Sequence, residues 1–499
     1  MEDSNFYIPS LSLLAPLIYA CFIIHRLISG ARRTSPPSPP SLPLIGNFHQ
    51  LGKLPHRSLS KLSKKYGPLM LLRFGPKPVL VVSSADVARQ ILKTHDLTFA
   101  DKPAMELLNK IFYGGNDVIN LPYGEKWRKL RNILLHELLN SSRVRSFAFV
   151  REEETAVFVK KIEDLSVACE PVNLTNMLAG FSNDLISCAA FGKKYSETEQ
   201  GKMFLEFLEE ASGSFEFSLR DFVPSLAWID RLNGRDAAID RLVEKRDASL
   251  DAVIDDHLKS SNTSKDNIMG ILLGIYKGDN PGVSIDLMSV KGVILDIFTA
   301  GTDTTTTTLT WLMTELIRHP TVMKKLQDEI RGTMKGKDRI TDGDLLKMPY
   351  LTAVLKESMR LHPPLPIYSR VSREHVNLMG YETKPKTLVL INAWAIGQDP
   401  ACWKEPEKFV PERFMDSSID YKGHDFQLIP FGAGRRTCPG LGFASLAMGH
   451  TVANLMLKFD WALPNGAKGE DLDVKERPGF AIGRDTPLIV VATINPSIA

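Results

Sequence analysis

Phe431-Gly432-Ala433-Gly434-Arg435-Arg436-Thr437-Cys438-Pro439-Gly440 leads directly into an apolar, helix-like run from Leu441 to Phe459. Two glycines let the backbone fold closely beneath a flat ligand, and Pro439 suits the first turn of a helix. That helix aims the positive end of its dipole at the Cys438 sulfur, which predicts a stabilised thiolate. On residue chemistry alone, such a thiolate beside arginines also suits a nucleophile or a redox sensor, and an isolated cysteine is most often simply buried. The Gly-x-Gly spacing suggests a dinucleotide loop, but neither six-residue window ends in Gly or Ala. No strand–turn–helix unit with a following acidic residue accompanies it.

Upstream, the longest candidate helix starts near Ser284, an N-cap residue type, and runs to His319, where Pro320 stops it. Such a helix is about 50 Å long, enough to cross a globule. Its middle, Ala300-Gly301-Thr302-Asp303 followed by Thr304 to Thr308, is a poor helix sequence, so something other than propensity must hold it. Apolar residues recur at three and four over Val322 to Met334 and Leu345 to Leu361, whereas Pro78 to Ser83, Leu388 to Asn392 and Pro487 to Thr493 read as strands. The fold class expected is mainly α with a minor β region.

The 499 residues are 43% hydrophobic and 24% charged, proportions of a large globular chain rather than a disordered tail or a multi-pass membrane protein. Lys plus Arg (61) against Asp plus Glu (58) leaves +3, too little for a global field that attracts nucleic acid. The five cysteines, Cys21, Cys169, Cys188, Cys402 and Cys438, are irregularly spaced, with no C-x-x-C and no zinc-type cluster. That argues against a disulfide framework and for a reducing compartment.

Phe6 to Ile24 carries no charge, spans about the ~20 residues that cross a bilayer, and is followed by Arg26, Arg32 and Arg33. The basic flank predicts an uncleaved anchor with the body on the cytosolic side. Pro36-Pro37-Ser38-Pro39-Pro40-Ser41-Leu42-Pro43 then reads as a stiff spacer. The division expected is anchor and flank over 1–29, proline-rich hinge over 30–45, and one catalytic body over 46–499.

The pattern F-G-x-G-x-R-x-C-x-G resembles the heme-thiolate loop of the cytochrome P-450 superfamily, and further motifs follow over nearly the whole chain. They are the proline-rich hinge, Trp127 and Arg131 in W-x-x-x-R, Ala300 to Thr305 in A-G-x-D-T-T, Glu357 and Arg360 in E-x-x-R, and Pro411-Glu412-Arg413-Phe414. Leu361-His362-Pro363-Pro364 and Asn392-Ala393-Trp394-Ala395-Ile396 are similar to the plant A-type group acting on specialised metabolites. The resemblance implies a cytochrome P-450 fold on a membrane anchor, with heme b as cofactor and Cys438 as the axial ligand of its iron. A thiolate in that place favours O–O cleavage.

The resemblance further gives Trp127, Arg131, Arg370 and Arg436 the heme propionates, and places Phe431, Ala300 and Gly301 around the cofactor. The usual Pro-Arg before the propionate contact reads Ser369-Arg370 here, with a one-residue deletion just upstream. Thr304 and Asp303 resemble the distal pair that organises water and protons, against the plainer reading of a hydroxyl bonded back to its own helix and a surface carboxylate. Glu357, Arg360 and Arg413 resemble a buried structural charge triad. The substrate pocket expected by analogy comprises Ile111, Phe112, Tyr113, Phe215, Phe217, Phe298, Leu365, Ile367 and Ala481.

The activity implied is a monooxygenase oxidising a lipophilic plant metabolite, terpenoid first and then alkaloid or phenolic, at the endoplasmic reticulum membrane. No flavin or nicotinamide module fits in the chain, so its electrons would come from NADPH through a separate flavoprotein reductase, docked on Lys126, Arg128 and Lys129. A reductase-independent heme-thiolate isomerase or dehydratase and a non-catalytic heme sensor are the alternatives.

Overall fold

The computed structural model describes residues 35–194, 198–213, 219–259, 267–279, 283–337 and 339–496. The apolar N-terminal run, Phe215 and Phe217 lie outside the described residues. Among those described, no helix is long and apolar enough to cross a membrane.

The central helix runs Leu287–Arg318, and its N-cap is Asp286 rather than Ser284. The Asp286 carboxylate accepts from the Ser289 amide at 2.7 Å and sets a full negative charge against the helix terminus, whereas the Ser284 hydroxyl is engaged by Lys129 at 3.3 Å. Its poor helix formers are held by two things. The hydroxyls of Thr304, Thr306, Thr308 and Thr314 donate to the carbonyls four residues back, and most of the helix is buried against neighbouring helices. One such neighbour is Leu174–Phe191; a Cβ at Gly301 would come within 2.7 Å of Ile186 Cδ1 there, so any larger residue would have to displace that side chain.

Prolines redraw two helix starts. Pro320 begins the helix Pro320–Thr333, and the periodicity over Leu345 to Leu361 divides into Asp342–Leu345 and Pro349–Leu361. Pro349 lacks the N–H that a continuous helix needs but fits the first helical position. The cysteine helix spans Leu441–Lys458, with Gly440 as N-cap and Pro439 one residue before it, outside the helix.

A four-stranded sheet has the order Leu69–Phe74, Lys77–Val82, Leu388–Asn392, Ile367–Val371; only the middle pairing is parallel. Leu388–Asn392 is buried throughout, which explains its unbroken apolar run. The expected strand over Pro487 to Thr493 is Ile489–Ile494, paired with Phe459–Ala462 and with Val172–Asn173. Residues 35–45 do not hang free: Pro36 and Pro39 are buried, the Leu71 amide donates to Pro37, and Asn47 and Gln50 donate to the Pro40 carbonyl.

Candidate active site

The cysteine loop is shaped by two left-handed glycines, Gly432 (φ 68°) and Gly434 (φ 72°). A Cβ at Gly434 would lie 2.3 Å from the Leu92 carbonyl oxygen, and the adjoining Arg435 amide donates to the Asp96 carboxylate at 3.1 Å. The loop closes where the Cys438 amide donates to the Phe431 carbonyl at 2.9 Å. Burial lifts the Cys438 thiol above its ordinary value, while the amides of Gly440 and Leu441 and the charge of Arg131 pull it back. The helix terminus and Arg131 thus favour the thiolate without fully offsetting the effect of burial.

Cys438 and Phe431 line a cavity of about 790 Å³ that runs from the cysteine loop along the central helix. Ala300, Gly301 and Thr304 border it from that helix, and Trp127, Arg131, Arg370 and Arg436 border it near the loop. Of the residues expected to meet substrate, Phe112, Leu365 and Ile367 lie on the wall. Four do not. Ile111 and Tyr113 sit under Arg246, which donates to the Ile111 carbonyl and stacks 3.7 Å from the Tyr113 ring centroid. Phe298 is packed between Phe191 and Phe204 at 5.0 and 5.1 Å, and Ala481 yields the wall to its neighbours Phe480 and Ile482.

The distal residues part company. The Thr304 hydroxyl, on the cavity wall, donates to the Ala300 carbonyl at 2.5 Å, which leaves its oxygen able to accept. The Asp303 carboxylate does not border the cavity; its Oδ2 accepts from the Ala481 amide at 3.2 Å.

Four cations share the loop end of the cavity. Arg131 is buried, donates to the Thr437 carbonyl at 2.5 Å, and has a buried Nε with no hydrogen-bond partner. Arg370, on the strand Ile367–Val371, donates to its neighbour Ser369, and burial lowers it to about 10 against the pull of Asp96 and Tyr368. Burial and then Arg370 lower Arg436 to about 9; it donates to the carbonyls of Ala100, Val118 and Leu121 and lies 4.7 Å over the Trp127 ring. The Trp127 indole N–H is itself committed to Val118 at 3.1 Å, so Trp127 supports Arg436 rather than offering a free donor.

Sequence reasoning missed the fourth cation, Lys102. It lines the cavity, and burial together with Arg370 and Arg436 holds its ammonium well below the usual lysine range. No sequence signal marks it, because its neighbours Arg370 and Arg436 arrive from distant parts of the chain. Buried positive charges crowded this closely are costly without an anion to offset them. With a soft sulfur facing the same space, the end of the cavity fits a planar dianionic cofactor bearing a metal, which is what heme is.

Glu357, Arg360 and Arg413 form one buried network beside the cavity. Glu357 and Arg360 are wholly buried and joined by two bonds of 2.8 and 2.9 Å, and Arg413 reaches the same carboxylate at 3.0 Å. Arg360 also donates to the carbonyls of Gly397, Pro406 and Lys408.

A mainly helical body with a small sheet, and a cysteine and a crowd of cations at the end of a largely apolar cavity, define a heme-thiolate protein. The sequence model for cytochrome P450 matches residues 36–490, and the chain belongs to the cytochrome P450 family, in its plant A-type group. Cytochrome P450 736A117 of Prunus mume is 47% identical over 98% of this chain and 97% of its own. Norfluorocurarine oxidase from a Strychnos species is 45% identical over 98% and 99%, and strychnine-11-hydroxylase of Strychnos nux-vomica 42% identical over 96% and 97%. A solved zebra fish cytochrome P450 with abiraterone superposes with a TM-score of 0.75 at 25% identity, covering 88% of this chain and 100% of that one. The protein is an oxidoreductase of the monooxygenase type with a heme cofactor.

Proposed function

We propose that the chain oxidises a rigid, lipophilic plant specialised metabolite, of terpenoid or alkaloid skeleton ahead of phenolic, with electrons from NADPH through a separate flavoprotein reductase. The observation that carries this reading is the cavity itself: Cys438 and the cations at one end, Thr304 on its side, and a largely apolar wall that includes Phe112, Ile186, Leu365 and Ile482. The terpenoid skeleton suits that wall; the alkaloid skeleton is added by the names of two relatives.

Heme, when bound, supplies the activation of dioxygen. Cys438 would ligate its iron, Arg131, Arg370, Arg436 and Lys102 would hold its carboxylates, and Glu357, Arg360 and Arg413 would fix the surrounding fold. The protein's own work is to exclude water with the apolar wall and to hold substrate against the central helix. Thr304 receives a proton at its hydroxyl oxygen and passes on its own, a relay that requires release of its bond to Ala300. Asp303, turned toward Ala481, positions the loop carrying Phe480 rather than reaching the cavity directly.

The proposal includes an anchor in residues 1–29 joined through 30–45 to the body 46–499, placing that body on the cytosolic face of the endoplasmic reticulum. The arginine flank of the apolar run supports it. The test is reconstitution of the full chain with a plant NADPH-dependent reductase, presented with terpenoid, indole-alkaloid and phenolic panels, and mass spectrometry of the products. Oxygenated products that need both NADPH and reductase support the proposal. Heme-loaded protein that isomerises or dehydrates peroxides without reductase would replace it.

A further inference from the structure

The cavity reaches the surface between two lips. One is the turn before the helix Pro55–Tyr66, where Gly52 and Lys53 are exposed; the other is the tip of the hairpin joining Glu476–Arg477 to Gly483–Arg484, where Pro478 is exposed and Gly479 and Phe480 face inward. Residues from both lips line the same space. One cluster of side chains spans the gap. The Glu476 carboxylate accepts from Arg57 Nε at 2.5 Å and Nη2 at 2.8 Å, and lies 3.0 Å from His56 Nε2.

The cluster is built, not incidental. Glu476 and His56 side chains are 4% and 1% exposed, although the ends of this chain segment stand at the surface. Arg57 lies 4.6 Å over the Trp394 ring, His56 meets the same ring edge-on at 5.5 Å, and Asn392 donates to the His56 carbonyl at 2.7 Å. Both partners stand in the first turn of their helix, whose positive end adds to the pull on a carboxylate. Burial pushes the Glu476 carboxyl up, but the bonds from His56 and Arg57 win and hold it at about 2.

The hairpin is also secured on its far side. There the Ile482 amide donates to Pro364, Trp311 donates to the Ile482 carbonyl at 2.8 Å, and the Ala481 amide donates to Asp303. On its near side, Glu476 carries the ionic tie to the opposite lip found among the described residues.

We propose that Glu476, gripped by His56 and Arg57, is a latch across the cavity mouth that sets how fast, and up to what size, molecules are admitted to the site. Glu476 is a positioning residue; it does not touch the reacting atoms. The inference rests on the cavity being the substrate site and concerns passage, not chemistry. With the latch closed, small molecules pass between the lips, while large rigid ones wait for the carboxylate to release the arginine. Weakening the latch raises the open fraction and so raises association and dissociation of large ligands together, with little change in their affinity.

Imidazole and 4-phenylimidazole, which bind heme iron through nitrogen, test this without knowledge of the substrate. Stopped-flow absorbance on the heme-loaded full chain reads their rates in wild type, Glu476→Gln and Arg57→Met. The loss of one charge-assisted pair should speed 4-phenylimidazole in both directions by roughly tenfold and imidazole by less than about twofold. The double variant should exceed neither single by much, because both remove one interaction. Arg57 is 41% exposed at its side chain, so Arg57→Met remains a usable test if Glu476→Gln folds poorly. Unchanged 4-phenylimidazole rates in a folded variant, or equal acceleration of both probes, would overturn the latch. Size-selective kinetics in a protein that makes no NADPH-dependent product would instead overturn the monooxygenase reading.

Discussion

Replacing Glu357 by Gln leaves the shape of the buried network and removes its one negative charge. Two guanidiniums then face a neutral amide. Arg360 is wholly buried and retains three backbone carbonyls and, with the amide oxygen in the Oε1 place, its bond through Nη2, but its Nε loses its acceptor to an NH2 group; Arg413, 12% exposed at its side chain, keeps a 3.0 Å contact to an oxygen that no longer carries charge. The Val410 amide, which donates to Glu357 at 2.8 Å, keeps an acceptor in the variant. Removing one partner of a buried pair costs about 3–5 kcal/mol, and the retained acceptor places Glu357→Gln near the lower end, at about 3 kcal/mol. An exposed i,i+4 pair such as Lys324–Asp328, with side chains 66% and 59% exposed, is worth only about 0.3–0.5 kcal/mol. Urea unfolding followed by tryptophan fluorescence suits the comparison, because Trp403 lies 5.3 Å from the Arg360 guanidinium. Heme absorbance on the same samples reports whether the cofactor leaves in the same transition. If Glu357→Gln cost no more than Lys324→Ala, the assignment of the triad to the structural framework would be wrong.

Thr304→Ala should keep heme content and substrate binding but lower product per NADPH, with the missing electrons found in peroxide or water; Thr305→Ala should do much less. Full coupling in heme-loaded Thr304→Ala would remove Thr304 from the proton path. Of the three proposed docking residues, Lys126 is engaged with Asn116 and Asp286 and Lys129 with Ser284, whereas Arg128 is exposed and makes no side-chain bond among the described residues. Arg128→Glu should therefore slow reductase-supported turnover more than Lys126→Glu while sparing peroxide-supported turnover, measured across ionic strength. Asp117 is pushed up to about 6 by burial, against the bonds from Asn120 and the charge of Arg436, and Asp296 is raised by burial first and then by the charge of Asp117. Raised carboxyls bind protons more tightly when folded, so they make the native state lose stability as pH climbs from about 4, the unfolded value, through 6. Asp296→Asn keeps an acceptor for the Val118 amide and should flatten that loss; urea midpoints from pH 4 to 8 with identical slopes in both proteins would refute the coupling.

Periodicity located the helical bulk and the buried strand Leu388–Asn392, and the glycine, proline and cysteine spacing located the cysteine loop, because these follow from local spacing and backbone chemistry. Its errors fell where two local signals competed. Ser284 and Asp286 are both capping residues, and the charged one won; Pro349 reads as an interruption of one helix but is the first residue of another.

The site was legible as residue types, not as partners. Arg131, Arg370 and Arg436 could be named from motifs, yet nothing local showed that Trp127 spends its indole N–H on Val118, that Asp303 turns to Ala481, or that Phe298 packs against Phe191. Lys102 and the His56, Arg57 and Glu476 cluster had no motif at all. Local sequence sets the chemistry on offer at each position: a cysteine ahead of a helix, glycines where φ is positive, cations within reach. Tertiary structure alone decided which of those groups remain unpaired, because burial and the arrival of chain segments hundreds of residues apart set the dielectric, the neighbouring charges and the hydrogen-bond partners together.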